Sequence, residues 1–178
     1  MSDTRDKNIE FNAASPTEFT QEYFQAMSDA QKSMDLSDLP EIIKVIQQTI
    51  DSGSTVYSMG NGGSSAIADH LVCDFTKGCY TDHSKLKSFS LNSNTPLFTA
   101  ISNDLSYKES FSKQLEYYLD DNDVILLISS SGNSENIISA IDYANQRGIK
   151  SITLTGFDGG DAKIKSSLNI HVSIDNYG

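Results

Sequence analysis

One segment, Val124-Ile125-Leu126-Leu127-Ile128, constrains the fold more than any other, because its apolar residues run without a polar interruption. A strand with one wet face alternates apolar and polar residues, so an unbroken run of strand length belongs inside a sheet covered on both sides. Covering both faces requires helices, and the sequence supplies them in alternation with other short apolar runs. Residues 55–59, 89–91, 151–155 and 169–174 read as strands. Helical periodicity covers residues 66–75 and 97–101. It continues through Tyr107, Phe111, Leu115, Tyr118 and Leu119, then through Ile137, Ile138, Ile141 and Ala144 up to Arg147-Gly148, and a short helix covers 162–166. Such alternation implies an α/β fold: a doubly wound, largely parallel sheet flanked by helices.

Two helices are expected ahead of the sheet. Ser15-Pro16-Thr17-Glu18 has the form of a capping box with proline at the first helical position. Phe19, Tyr23, Met27, Ala30 and Met34 then keep to one face. A second helix follows Asp38-Leu39-Pro40-Glu41 and ends before Gly53. The polar, aperiodic residues 1–14 read as a loose arm, and residues 15–178 as a single domain, which suits a chain of 178 residues with 38% hydrophobic composition.

Charge narrows the partners. Thirteen Lys and Arg against twenty-four Asp and Glu give a formal charge of -11, which argues against a nucleic-acid surface or an anionic membrane. No run approaches the ~18 apolar residues that span a bilayer, and the first residues lack a signal peptide's apolar core. A soluble, cytoplasmic protein is expected. Cys73 and Cys79 have no zinc-ribbon spacing; Cys73 falls in a helical pattern and is expected as a buried free thiol.

The strongest chemical signal comes from two loops, Gly60-Asn61-Gly62-Gly63-Ser64-Ser65 and Ser129-Ser130-Ser131-Gly132-Asn133-Ser134. Each follows an apolar run and opens a helical segment. Small residues let the backbone approach an anion, first-turn N–H groups point at it, and the helix dipole favours its charge. The glycine loop lacks the third glycine of a dinucleotide fingerprint and the Lys-Ser or Lys-Thr pair of a P-loop, so no nucleotide cofactor is expected. Alone it is also an ordinary tight turn. Ser129, Ser131 and Ser134 sharpen the reading, since each can donate a hydroxyl proton, although one serine by itself is commonly an N-cap. In open parallel sheets ligands bind outside the carboxyl ends of strands, where both loops fall.

Other candidates are weaker. Asn103-Asp104 could reach sugar hydroxyls in the same crevice, or simply close a turn between helices. His70 and Asp74, four residues apart, share a helix face and could grip a divalent ion or act as a base with its partner. A lone pair of this kind is usually a solvated face. His83 and His171 are read as structural, and Phe24, Tyr117 and Tyr118 as core or interface residues.

With both loops identified, the chain resembles the sugar isomerase (SIS) domain family, and within it the phosphoheptose isomerases. The resemblance runs from about Phe19 to the end. It rests on residues 59–64, on Ile101-Ser102-Asn103-Asp104, on residues 128–134 and on Leu154-Thr155-Gly156-Phe157-Asp158-Gly159-Gly160. It implies a cytoplasmic homo-oligomer, commonly a tetramer, that converts sedoheptulose 7-phosphate to D-glycero-D-manno-heptose 7-phosphate through an enediol. By similarity Asn61, Gly62, Gly63, Asn103 and Asp104 match substrate-binding positions. Ser64, Ser129, Ser130, Ser131 and Ser134 match the hydroxyl-rich pocket for phosphate and sugar.

His70 matches a zinc-ligand position, and Asp74 stands where the family's isomerases carry a glutamate serving as metal ligand and acid/base group. The resemblance therefore implies zinc as a cofactor, with His70 and Asp74 catalytic. The family continues into a helix bearing a glutamine and a histidine, its remaining metal ligands and a base, and no residue here matches those roles. Two alternatives accordingly stand beside the isomerase: a non-catalytic SIS module that binds a sugar phosphate, and an interaction protein resembling initiator-associating SIS proteins.

Overall fold

The computed structural model describes residues 11–82 and 84–176. His83 and most of the arm expected over residues 1–14 lie outside them. Helix α1, Pro16–Lys32, begins as its capping box requires: the Ser15 side chain accepts from the Glu18 amide at 3.2 Å. The Glu18 carboxylate reaches back to the Ala14 amide at 2.8 Å. Helix α2, Leu39–Ser52, ends at Gly53 with φ 68°, the left-handed C-terminal cap that glycine adopts without strain. Both expected N-terminal helices are present, and the linker between them is tied to the sheet through the Asp35 amide, which donates to the His171 carbonyl at 2.9 Å.

The rest of the chain is a wound α/β unit. Strand β1 spans Thr55–Gly60, helix α3 Gly63–Cys73, β2 Lys87–Ser90, α4 Thr95–Asp104, α5 Ser112–Tyr118, β3 Val124–Ser129, α6 Glu135–Gln146, β4 Lys150–Thr155, α7 Gly160–Lys165 and β5 Leu168–His171. All four pairings are parallel, in the order β2-β1-β3-β4-β5.

β3 shows why its sequence forced this arrangement. All six of its residues are buried. Val124, Leu126 and Ile128 enter a core shared with Ile42 and Val45 of α2 and Ala68 of α3. Ile125 and Leu127 face the opposite way, into a core with Leu115 of α5, Ile137, Ala140 and Ile141 of α6 and Ala162 of α7. Neither face could be polar without leaving a group unpaired between layers.

Several boundaries depart from the sequence expectation. The long helix anticipated from Tyr107 to Leu119 is a 3₁₀ turn, Tyr107–Glu109, followed by the short α5. Its apolar spacing is intact, but Ser110 is fully buried and its hydroxyl accepts from Asn136 at 3.1 Å, a tertiary bond at the break between them. The helix expected to reach residue 75 turns into a π-helical segment, Asp74–Gly78. Strand β5 ends at His171, short of the anticipated residue 174. Cys73, expected inside, is exposed at the end of α3, and Cys79 is exposed as well; both are free thiols. His171 is buried and its Nδ1 lies 3.0 Å from the Thr155 hydroxyl, so it has a structural partner.

Candidate functional site

The strand order reverses between β1 and β3. From β1 the chain leaves by α3 towards β2 on one side, and from β3 it leaves by α6 towards β4 on the other. These two helices cover opposite faces of the sheet, so the loops leading into them diverge and leave a crevice over the strand ends. That crevice, about 410 Å³, is lined by Asn61, Gly63, Ser64 and Ile67 from the β1 side and by Ile128, Ser129, Ser130, Ser131 and Ser134 from the β3 side. The fold thus brings the glycine and serine loops together, although they stand about seventy residues apart in the chain.

Each loop is held by close backbone contacts. A Cβ on Gly60 would lie 2.7 Å from the carbonyl of Ser64, so only glycine lets the first turn of α3 fold back onto β1. Asn92 grips the same residue, donating to the Gly60 carbonyl at 2.9 Å and accepting from its amide at 3.1 Å. Gly132 has φ 65°, and a Cβ there would run into the Gly159 carbonyl oxygen. The serine loop is stapled to the segment after β4 by the Gly156 amide on the Ser130 carbonyl and the Ala162 amide on the Gly132 carbonyl, both 2.9 Å. This explains the glycines in Gly156-Phe157-Asp158-Gly159-Gly160: the segment is a backrest for the serine loop.

The crevice is electrically neutral in its side chains, since no lining residue carries a charge. Its donors are hydroxyls and helix termini. Ser129 Oγ accepts from the Gly132 amide and Ser131 Oγ from the Asn133 amide, at 3.2 and 3.3 Å, which orients both oxygens while leaving their protons free to donate. Ser134 is the N-cap residue of α6 but makes no side-chain cap bond. The first amides of this twelve-residue helix have no carbonyl ahead of them, and they open beside the serines.

The other sequence candidates stand elsewhere. Gly62 is the N-cap residue of α3, beside the lining. Asn103 and Asp104 close α4 as exposed residues, the Asn103 amide donating to the Asp104 carboxylate at 2.8 Å, and neither lines the crevice. His70 Nε2 is 3.4 Å from Asp74 Oδ2, with both side chains more than half exposed at 76% and 60%. Ile67, His70 and Asp74 follow one another at three and four residues, so they form a stripe that leaves the crevice along α3. Among the described residues no group of three or more His, Cys, Asp or Glu could hold a metal ion.

Sequence reasoning missed Asn136 and Tyr107. Asn136, fully buried in α6, forms a two-bond amide ring with Asn61: Asn61 Nδ2 donates to Asn136 Oδ1 at 2.8 Å and Asn136 Nδ2 donates to Asn61 Oδ1 at 2.9 Å. The Tyr107 hydroxyl donates to the same Asn61 oxygen at 2.8 Å. A buried polar residue on the inward face of a helix was the available signal, because such a group needs a partner.

Comparison with known proteins gives the same picture. Residues 19–156 match the SIS domain. The probable phosphoheptose isomerase of Thermoplasma volcanium is 36% identical over 139 residues, 78% of this chain and 71% of that protein. The phosphoheptose isomerase of Colwellia psychrerythraea is 44% identical over 114 residues, 64% of this chain and 58% of that protein. The structure of phosphoheptose isomerase GmhA from Neisseria gonorrhoeae superimposes with a TM-score of 0.78 at 29% identity, covering 90% of this chain and 86% of the other. A phosphoheptose isomerase from Francisella tularensis does so with a TM-score of 0.80 at 26% identity, covering 90% and 85%.

Proposed function

The chain belongs to the SIS domain family, and we propose that it is a phosphoheptose isomerase interconverting sedoheptulose 7-phosphate and D-glycero-D-manno-heptose 7-phosphate. The observation that carries this reading is the meeting of the glycine and serine loops over one crevice at the reversal of strand order. Hydroxyls and unpaired helix amides bind a phosphate dianion without a resident cation, which suits a chain of net charge -11. The bound phosphate anchors the far end of the sugar, so that binding energy remote from the reaction orients C1 and C2.

The chemistry is a proton transfer between those carbons through an enediol. One group removes the proton beside the carbonyl and another protonates the oxygen. Asp74 is assigned as the base and His70 as its partner, within 3.4 Å of it and on the helix that the glycine loop opens. Asn103 and Asp104, at the end of α4, are assigned to the sugar hydroxyls on family resemblance. Zinc fits less well: His70 and Asp74 supply two donors where a protein zinc site takes three or more.

The protein is read as a cytoplasmic homotetramer. Helix α1 supports self-association, since none of its residues is buried and Phe19, Phe24 and Met27 stand 46%, 63% and 43% exposed. Among the described residues no helix is long and apolar enough to cross a membrane.

The test is incubation with sedoheptulose 7-phosphate, following aldose formation by NMR. New anomeric aldose signals are expected. A second reading, binding without turnover, is favoured by the exposure of His70 and Asp74 away from the crevice lining. Perturbed ligand signals with no aldose would select it.

A further inference from the structure

The amide of Asn61 has two acceptor lone pairs and two N–H donors. Asn136 Nδ2 and the Tyr107 hydroxyl occupy both lone pairs, and Asn136 Oδ1 takes one N–H. One N–H is left over, on a residue that lines the crevice. Asn136 is fully buried, and its second N–H donates to the buried Ser110 hydroxyl. Gln114 steadies the same turn by donating to the Ser110 carbonyl at 2.8 Å and the Leu91 carbonyl at 3.1 Å.

We propose that Asn136 and Tyr107 are positioning residues that hold Asn61 as a pure hydrogen-bond donor towards the ligand. An unheld asparagine amide can turn over and offer either its oxygen or its nitrogen. Turning this one alone would set oxygen against oxygen and nitrogen against nitrogen across the ring, and turning both amides together would place both Asn61 N–H groups on Asn136 and the Tyr107 hydroxyl, leaving none for the ligand. As bonded, the crevice presents an N–H at this point and selects an acceptor oxygen of the sugar phosphate, a carbonyl or phosphate oxygen. This deepens the sugar-phosphate reading and rests on it for the identity of the ligand.

Asn136→Asp provides the test, because its two protonation states act differently. The carboxylate cannot donate to Asn61 Oδ1 and breaks the ring, whereas the protonated acid restores the donor and acceptor of the lost amide. Burial raises the acid's pKa, and the side chains bonded to it, Asn61 and Ser110, are both neutral. Side-chain amide NMR of the free protein, with the Asn61 signals identified by their loss in Asn61→Ser, reads the orientation without any ligand. The parent should show one Asn61 proton exchanging at least about tenfold more slowly than its twin at every pH. Asn136→Asp should lose that difference at pH 7.5 and regain it near pH 5.

Titration with sedoheptulose 7-phosphate should follow the same course. Affinity of the variant relative to the parent falls about tenfold at pH 7.5 and recovers near pH 5, as expected for one misdirected hydrogen bond. A ratio that stays constant with pH, or equal exchange of the two protons in the parent, overturns the proposal. If Asn136→Asp does not fold, Tyr107→Phe, at a position 53% exposed, is expected to weaken binding about threefold, and unchanged affinity overturns it. Failure of the parent to bind sedoheptulose 7-phosphate defeats the sugar-phosphate reading instead, and the exchange measurement still decides the orientation of Asn61.

Discussion

Two concave regions of this molecule have opposite chemistry. The larger, a groove of about 800 Å³ between the 3₁₀ turn, α5, α6 and α7, is lined with charge, including Lys113, Glu116, Asp142 and Lys165. Four of those charges pair with one another. Lys113 meets Glu116 at 2.7 Å, and Lys165 meets Asp142 at 3.0 Å. The hydrogen bond that Lys113 donates to Glu116 holds the pKa of its ammonium above the usual lysine range. The smaller crevice has no charged side chain, and its lining hydroxyls stand beside the first amides of α6. Size and charge density thus favour the groove as a ligand site, while a lining of neutral donors and position at the strand reversal favour the crevice. The second pair of properties is the one that binds an anion.

The largest expected effect of a substitution lies beside the crevice. Asp74→Asn should lower turnover of sedoheptulose 7-phosphate by about 10²–10⁴-fold, the usual contribution of a positioned base. Its dissociation constant should stay within about twofold, as isothermal titration would show. Intact turnover would remove Asp74 from the chemistry. Gly132→Ala comes next, since it places a Cβ against the Gly159 carbonyl in a left-handed backbone. Denaturant unfolding should register a loss of about 2–4 kcal/mol, and the serine loop should lose its ligand with it.

Smaller effects sharpen the contrast. Ser131→Ala and Ser134→Ala should each weaken sugar-phosphate binding about tenfold without shifting the unfolding midpoint, the cost of one hydrogen bond to a charged group. Unchanged isotherms for both would remove the hydroxyls from the site. In the larger groove, Lys113→Ala and Lys165→Ala should leave the same isotherms unaltered and the unfolding midpoint little changed, as partly exposed ion pairs do. A large loss of affinity in either variant would transfer the site to the groove.

Local sequence was sufficient wherever a residue's partner is close in the chain or its environment is uniform. The capping box at Ser15, the glycine closing α2 and the wholly buried β3 belong to this class. So does the glycine loop, where Gly60 answers to the backbone of Ser64, whereas Gly132 of the serine loop answers to the distant Gly159. It failed where a distant partner decides. The apolar period across Tyr107–Leu119 conceals a break that carries Ser110 to Asn136. Asn136 reads as any polar helix residue until Asn61 is set opposite it. Asn103-Asp104 looks like a turn between helices, whereas α4 runs on to Asp104. Strand order also lay beyond local reading, since nothing in β1 or β3 alone says that they are neighbours.

That adjacency has a consequence for how the protein acquires its site. Val56 of β1 pairs with Val124 of β3, so the chain must close a long loop, with β2, α3, α4 and α5 inside it, before the two crevice walls exist. Contacts so distant in sequence carry a high entropic cost and form only once most of the chain is organised. No partly folded species lacking the β1–β3 pair can recognise the ligand. Sugar phosphate therefore acts on the finished molecule, slowing its unfolding and leaving the rate of its folding untouched.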